Sequence, residues 1–110
     1  MLNNQAGMSV SDLNLLIADA IRREPATRSV IVRGEISGFK HHLASGHWYF
    51  AMKDENASIS CVMFRQNTIR SEIRPRNGAF VQVSGYVDLY LKSGSVQLYV
   101  TSMKADGIGS

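Results

Sequence analysis

The sequence predicts a mainly β domain, a five-stranded Greek-key barrel preceded by one amphipathic helix. Apolar residues recur at every second position through most of residues 29–105, which is the period of a strand with one buried face. Turn-forming clusters divide this region into five segments, and a longer polar connector separates the third segment from the fourth. Two glycines, Gly34 and Gly85, fall in mid-strand, where small barrels bend sharply.

The helix is predicted over residues 9–24, after a flexible tail at residues 1–8. Ser9 is the expected N-cap, with Asp12 three residues later, and Pro25 ends the helical pattern. The apolar side chains between them recur at helical spacing, and we expect them to face the core, a partner-binding helix being the alternative. They are Leu13, Leu16, Ile17, Ala20 and Ile21.

The strand pattern begins at Ser29, and a loop is expected from Gly38 to Gly46. The later strands are predicted at residues 47–53, 57–65 and 79–91, with a fifth strand that includes Val96, Leu98 and Val100. Trp48 and Phe50 are expected in the core. The polar connector at 66–74 is predicted to contain a short helix. This order of elements is that of an OB-fold, with an SH3-like barrel as the alternative.

Length and composition limit the class of protein. A chain of 110 residues has the size of one domain. Its single cysteine, Cys61, excludes an internal disulfide and favours a reducing compartment. Neither a signal peptide nor a membrane-spanning run is visible, so we expect a cytoplasmic domain without a membrane partner.

No pattern in the sequence indicates catalysis. The three histidines, His41, His42 and His47, lie in or beside one predicted loop without the spacing of a metal site. Cys61 is predicted to point inward, where thiols are usually inert. We therefore expect no catalytic residue, no metal and no cofactor within these residues.

The positive charge is concentrated in one short segment. The chain has 12 Lys and Arg against 9 Asp and Glu, a net charge of +3. Residues 64–78 contain four arginines, Arg65, Arg70, Arg74 and Arg76, against Glu72. A polyanionic partner is one explanation, and a solvated basic surface is the other.

Basic and aromatic residues also alternate on the predicted outer face of the sheet, the mixture that single-stranded nucleic acid requires for its phosphates and its unstacked bases. The strand positions of this kind are Arg33, Tyr49, Lys53, Phe64 and Arg65, and Phe39, Lys40, His41, His42 and His47 lie in or next to the first loop. The alternative is that the aromatic residues pack under the helix or against a neighbouring domain. Three further tyrosines point outward on strands whose exposed side the pattern does not place: Tyr86, Tyr90 and Tyr99.

Three segments together resemble a known family. They are VRGEISGFK at 32–40, SGHWYFAMKD at 45–54 and ISCVMFR at 59–65. In order and spacing these segments are similar to the N-terminal domain of the large subunit of bacterial exodeoxyribonuclease VII. The similarity extends over about residues 8–109.

The resemblance implies an OB-fold at residues 9–105 that binds single-stranded DNA, followed at 106–110 by the start of a linker to a nuclease domain. The parent enzyme would cut single-stranded DNA exonucleolytically into oligonucleotides. Its other partners would be the rest of the large subunit and, through regions outside this chain, the small subunit. The residues that it implies for DNA contact are Arg33, Phe39, Lys40, His47, Tyr49, Phe64 and Arg65. A docking or homodimerisation module and an RNA-binding OB domain remain the alternatives.

Overall fold

A computed structural model describes residues 7–107 and confirms the predicted class, a closed barrel of five strands. One helix precedes the strands, and a short helix lies between the third and fourth strands. The strands are β1 (Val30–His42), β2 (His47–Lys53), β3 (Ser58–Met63), β4 (Phe80–Tyr90) and β5 (Ser95–Ala105). The helices are α1 (Val10–Arg22), a 3₁₀ turn (Pro25–Thr27) and α2 (Arg65–Thr68).

The barrel closes because β1 pairs with two neighbours. Its first half, Val30 to Glu35, runs antiparallel to β4, and its second half, Glu35 to His42, runs antiparallel to β2. The strands follow the order β1, β2, β3, β5, β4 around the barrel, with β3 and β5 parallel to each other. The change of neighbour falls at Glu35, which is in register with both Phe80 and Lys53. A register shift between Ser37 and Lys40, beside Gly38 at a φ of +61°, then bends the part of β1 that pairs with β2.

Inward side chains of all five strands fill the barrel. Ile36 on β1 is completely buried, and Trp48 and Phe50 on β2 lie in the core as predicted. The largest fully buried side chains on β4 and β5 are Val81, Val83, Leu98 and Val100. The buried core cluster is therefore supplied by the strands.

The prediction that the apolar stripe of α1 faces the core is wrong for four of its five members. Leu13, Leu16 and Ile17 are 44%, 41% and 38% exposed, Ala20 is exposed as well, and Ala18 is the buried residue of the helix. The barrel interior is already full, so α1 lies outside it against β4. Ser9 is the N-cap as predicted, with its side chain accepting a hydrogen bond from the Asp12 N–H.

Polar contacts fix α1 on the outside of the barrel. The Arg22 guanidinium lies 3.0 Å from the Asp88 carboxylate, and the Asn14 amide donates to the Leu91 carbonyl at 2.9 Å. Burial raises the pKa of Asp88, but the hydrogen bonds from Arg22 and from the Leu89 N–H outweigh it, so this pKa lies below its ordinary value. The helix is therefore attached at both ends of its contact with β4.

The predicted loop from Gly38 to Gly46 is shorter in the structure. β1 continues to His42, and the turn occupies residues 43–46, closed by the Gly46 N–H donating to the His42 carbonyl at 2.8 Å. The register shift at Gly38 explains the difference, because it keeps the chain extended and paired with β2 beyond the glycine. In the part of the chain that the structure describes, no helix is long and apolar enough to span a membrane.

Glycine is required at position 85, where β4 lies very close to the backbone of its partner strand β5. A Cβ at this position would overlap the carbonyl oxygen of Tyr99 and lie 3.0 Å from its carbonyl carbon. Both are backbone atoms, which cannot move aside without breaking the β4–β5 pairing. We therefore expect Gly85→Ala to destabilise the domain by roughly 1–3 kcal/mol, as overpacking does.

Urea unfolding measures this effect, with Gly107→Ala as the control because a Cβ at Gly107 meets no atom within 4 Å. Equal unfolding midpoints for the two variants would contradict the conclusion that the Tyr99 backbone leaves no room for a Cβ at Gly85.

Cys61 is predicted to be unreactive in the folded protein. It is 2% exposed, and burial raises the pKa of its thiol to about 12. At pH 8 only ~10⁻⁴ of such thiols would be ionised, and the thiolate is the reacting form. An aromatic disulfide reagent should therefore modify the native protein far more slowly than the urea-unfolded protein. Comparable rates at pH 8 would show that the thiol is accessible.

Candidate nucleic-acid interface

A row of aromatic rings crosses the outer surface of the barrel from the end of β1 to β4. Its members come from four strands and from the residue after β3. They are His42, His47, Tyr49, Phe64, Tyr99 and Tyr86, each in ring contact with a neighbour in the row. We call this row the aromatic surface.

Strand register places three rings at one end of the row, Phe64, Tyr99 and Tyr86, side by side. Tyr86 and Tyr99 are paired across β4 and β5. Their ring centroids lie 5.4 Å apart, and the angle between the ring planes is 17°. Phe64 follows β3, which runs parallel to β5, and its ring stacks on Tyr99 at 5.6 Å and 28°. The Arg28 guanidinium covers the far side of Tyr86 at 5.9 Å and donates to the Val87 carbonyl. Stacking from both sides holds Tyr99 in one orientation.

His47 joins the aromatic surface to the start of α2. Its Nδ1 accepts a hydrogen bond of 2.9 Å from the Arg65 N–H. Its ring packs edge-to-face with that of Phe64, with the two ring centroids 5.1 Å apart. Phe64 is the N-cap of α2 and has no side-chain hydrogen bond to the helix. The imidazole therefore supplies the acceptor that the first turn of α2 would otherwise lack.

Tyr49 lines two neighbouring depressions. One, of about 310 Å³, is bounded by Tyr49, Phe64, Tyr90 and Tyr99 above Val62 and Gln97. The other, of about 290 Å³, continues past Tyr49 toward Lys40 and Ser60. Tyr49 and Tyr90 are 40% and 47% exposed, so their ring faces are open to a ligand.

A fixed hydrogen bond orients the floor of the first depression. The Tyr99 hydroxyl donates to the Gln97 Oε1 at 2.9 Å, and the amide nitrogen of Gln97 has no hydrogen-bond acceptor among residues 7–107. Burial, and to a smaller extent the nearby Asp88 carboxylate, raises the pKa of Tyr99. The hydroxyl therefore keeps its proton and remains the donor in this pair at neutral pH.

Two predicted cations lie beside this surface. Lys40 is paired with Tyr49 across β1 and β2, and it lines the second depression. Arg65 follows Phe64, and its side chain lies over Gly46, where an added Cβ would be 2.9 Å from the Arg65 Cδ. The structure thus brings together five predicted site residues: Lys40, His47, Tyr49, Phe64 and Arg65.

The remaining predicted residues lie elsewhere. Arg33 and Lys53 line a cleft of about 140 Å³ beside the β2–β3 turn, at the opposite end of β2 from His47. Arg33 is also paired with Asp106 at 3.1 Å. Phe39 packs against the core, with its ring centroid 5.8 Å from that of Trp48.

Sequence reasoning left four members of the site unplaced or unnoticed: Tyr86, Tyr90, Gln97 and Tyr99. The outward direction of the tyrosines was evident from strand alternation, but their neighbours depend on the pairing of β3 with β5 and of β4 with β5. A prediction of strand order would have placed Tyr99 beside Phe64. Within residues 7–107, no three His, Cys, Asp or Glu side chains are grouped as a metal site requires.

Curated relatives cover nearly the whole chain. A protein named Exodeoxyribonuclease 7 large subunit from Ruminiclostridium cellulolyticum is 44% identical over 102 residues, which are 93% of this chain and 25% of that protein. One of the same name from Lactobacillus johnsonii is 40% identical over 110 residues, or 100% of this chain and 24% of that protein. The chain therefore spans about a quarter of the length of the relatives that it matches.

Solved structures share the fold at low identity. A replication protein A heterotrimer bound to single-stranded DNA matches with a TM-score of 0.58 at 11% identity, over 72% of this chain and 57% of that chain. The second OB-fold domain of replication protein A from Methanococcus maripaludis matches with a TM-score of 0.56 at 15% identity. The match covers 74% of this chain and 86% of that domain's chain. The sequence pattern described as "OB-fold nucleic acid binding domain" matches residues 8–104. With this match over most of its length, the chain belongs to the family of OB-fold nucleic-acid-binding domains.

Proposed function

We propose that this chain binds single-stranded DNA on the aromatic surface, as the DNA-binding domain of an exodeoxyribonuclease VII large subunit. The observation that carries the proposal is the continuous row of rings with Lys40 and Arg65 beside it. Unpaired bases stack on aromatic side chains while cations hold the phosphates. Duplex DNA hides its base faces and would gain little from such a surface.

The rings divide into two roles. Tyr49 and Tyr90 have exposed faces beside the two depressions, so they are the residues on which bases would stack. Phe64 and Tyr99 already stack on each other and form the wall against which a base in the first depression would rest. The free amide nitrogen of Gln97 would donate to a ring nitrogen or carbonyl oxygen of that base.

Two groups of cations would hold the strand at opposite ends of β2. Lys40 and Arg65 lie near the aromatic surface, whereas Arg33 and Lys53 lie at the β2–β3 turn. β2 has seven residues, so these groups are separated by roughly 20 Å along the strand. Arg33 would contribute less because its charge is already paired with Asp106.

In the whole protein, this domain would deliver a single strand to the nuclease that the relatives' name describes. Residues 9–105 would be the binding domain, and residues 106–110 would lead toward the segment that hydrolyses the phosphodiester bonds. The small subunit would bind regions outside this chain, and the enzyme would act in the cytoplasm. No residue of this chain is proposed to take part in bond cleavage.

A docking role is the second candidate, and one observation favours it. The outward stripe of α1, with Leu13, Leu16 and Ile17, is apolar and exposed. Such a stripe suits packing against the rest of the large subunit. This contact could coexist with DNA binding. A molecular mass in solution that rises to twice the monomer mass as the protein concentration increases would instead identify a second copy of the chain as the partner.

The sharpest test of DNA binding is Tyr49→Ala. Loss of one stacking ring should weaken binding of a labelled single-stranded oligonucleotide by roughly 1–3 kcal/mol, measured by fluorescence anisotropy. Phe64→Ala should weaken it by a similar amount, since it removes the wall of the depression. Phe80→Ala is the matched control, because Phe80 is 54% exposed but lies on β4 opposite Glu35, away from this surface.

Competition identifies the preferred nucleic acid. We expect unlabelled single-stranded DNA to displace the probe, and duplex DNA to displace it poorly. Displacement by RNA at lower concentration than by DNA would favour the RNA-binding alternative. Equal affinities for Tyr49→Ala, Phe80→Ala and the unchanged protein would remove the aromatic surface from the binding site.

A further inference from the structure

A second concave surface lies beyond the aromatic surface on the same barrel. It is a cleft of about 590 Å³ between the connector after α2 and the outer faces of β1, β4 and β5. None of its lining residues is aromatic. Its polar lining includes Arg70, Glu72, Gln82, Ser84, Ser102 and Lys104.

Two cations in this cleft, Arg70 and Lys104, have N–H donors that are available to a ligand. The Arg70 guanidinium is oriented by one hydrogen bond of 2.9 Å to the Oδ1 of Asn67, which is itself only 8% exposed. The other N–H groups of Arg70 have no recorded partner in the described structure. Lys104 forms no salt bridge within residues 7–107. Glu72 is the acidic residue of the lining, so the cleft has a net positive charge.

The cleft is continuous with the aromatic surface along two strands. On β5, Ser102 and its neighbour Thr101 in the cleft follow closely after Tyr99. On β4, Ser84 lies two residues before Tyr86. Two residues of a strand correspond to roughly 7 Å, which is a short step for an extended nucleotide chain.

The segment from α2 to Arg70 is a third connection between the aromatic surface and the cleft. α2 begins directly after Phe64, and Arg70 follows two residues after the end of this helix. A strand that passes Phe64 and Arg65 would therefore reach Arg70 at the mouth of the cleft.

From this continuity we propose that the cleft holds the sugar-phosphate backbone of a single strand that has left the aromatic surface. The proposal rests on the proposed function. The lining fits phosphate and sugar rather than bases, since it offers charged and neutral donors but no ring for stacking. Ile31, 68% exposed at its edge, offers the apolar contact that a deoxyribose would take.

Oligonucleotide length distinguishes the cleft from the aromatic surface. A strand of about 5 nucleotides would occupy the aromatic surface alone, whereas one of about 15 would also reach the cleft, both within the range of OB-fold site sizes. We expect Arg70→Gln and Lys104→Gln each to weaken binding of the longer oligo(dT) by roughly two- to fivefold. Neither variant should change binding of the shorter one.

The salt dependence counts the contacts. Each of these two variants should make the log–log slope for the longer strand shallower by about 0.7. Glu72→Gln should act in the opposite direction and tighten binding of the longer strand, which a merely structural role would not predict. Arg23→Gln is the matched control, because Arg23, the C-cap of α1, is an exposed cation that is paired with Asp19.

Each outcome separates this inference from the proposed function. If the unchanged protein binds neither oligonucleotide, the proposed function fails and the cleft proposal falls with it. If it binds both, and the Arg70 and Lys104 variants bind both normally, the cleft holds no DNA and a protein segment becomes its expected occupant. Equal weakening for short and long strands would show a general charge effect and would also overturn the proposal.

Discussion

The pairing of β1 with both β4 and β2 is the constraint on which the rest of the structure depends. β1 passes from β4 to β2 at Glu35, and the register shift beside Gly38 bends the part of the strand that pairs with β2. Closure directs one face of every strand into a common core, from which α1 is excluded. The opposite faces are thereby left for binding, and their side chains are arranged by register.

Register explains why rings that are distant in the sequence form one surface. Tyr86 and Tyr99 meet because β4 and β5 are paired, and Phe64 reaches Tyr99 because β3 runs parallel to β5. His47 then ties this stack to the first turn of α2 through the Arg65 N–H. The rings of the aromatic surface are therefore already in contact with one another before any ligand arrives, and such preorganisation reduces the entropy that binding would cost.

Local patterns predicted the strands, the core residues Trp48 and Phe50, and a mid-strand glycine at Gly85, since each depends on alternation along the chain. The contact with the Tyr99 backbone that excludes a Cβ at Gly85 was visible only in the structure. The orientation of α1 could not be predicted, because periodicity identifies an apolar face but not whether the barrel has room for it. The place of Tyr99 was equally hidden. It depends on a parallel pairing between strands separated by a whole strand and a connector, which no local signal reports.

Backbone amide chemical shifts during titration with a single-stranded oligonucleotide test the central claim most directly. Binding on the aromatic surface should shift the signals of Tyr49, Phe64, Gln97 and Tyr99 most strongly and leave those of Leu13, Leu16 and Ile17 on α1 nearly unchanged. Shifts concentrated on α1, or none in the presence of excess DNA, would contradict binding on this surface.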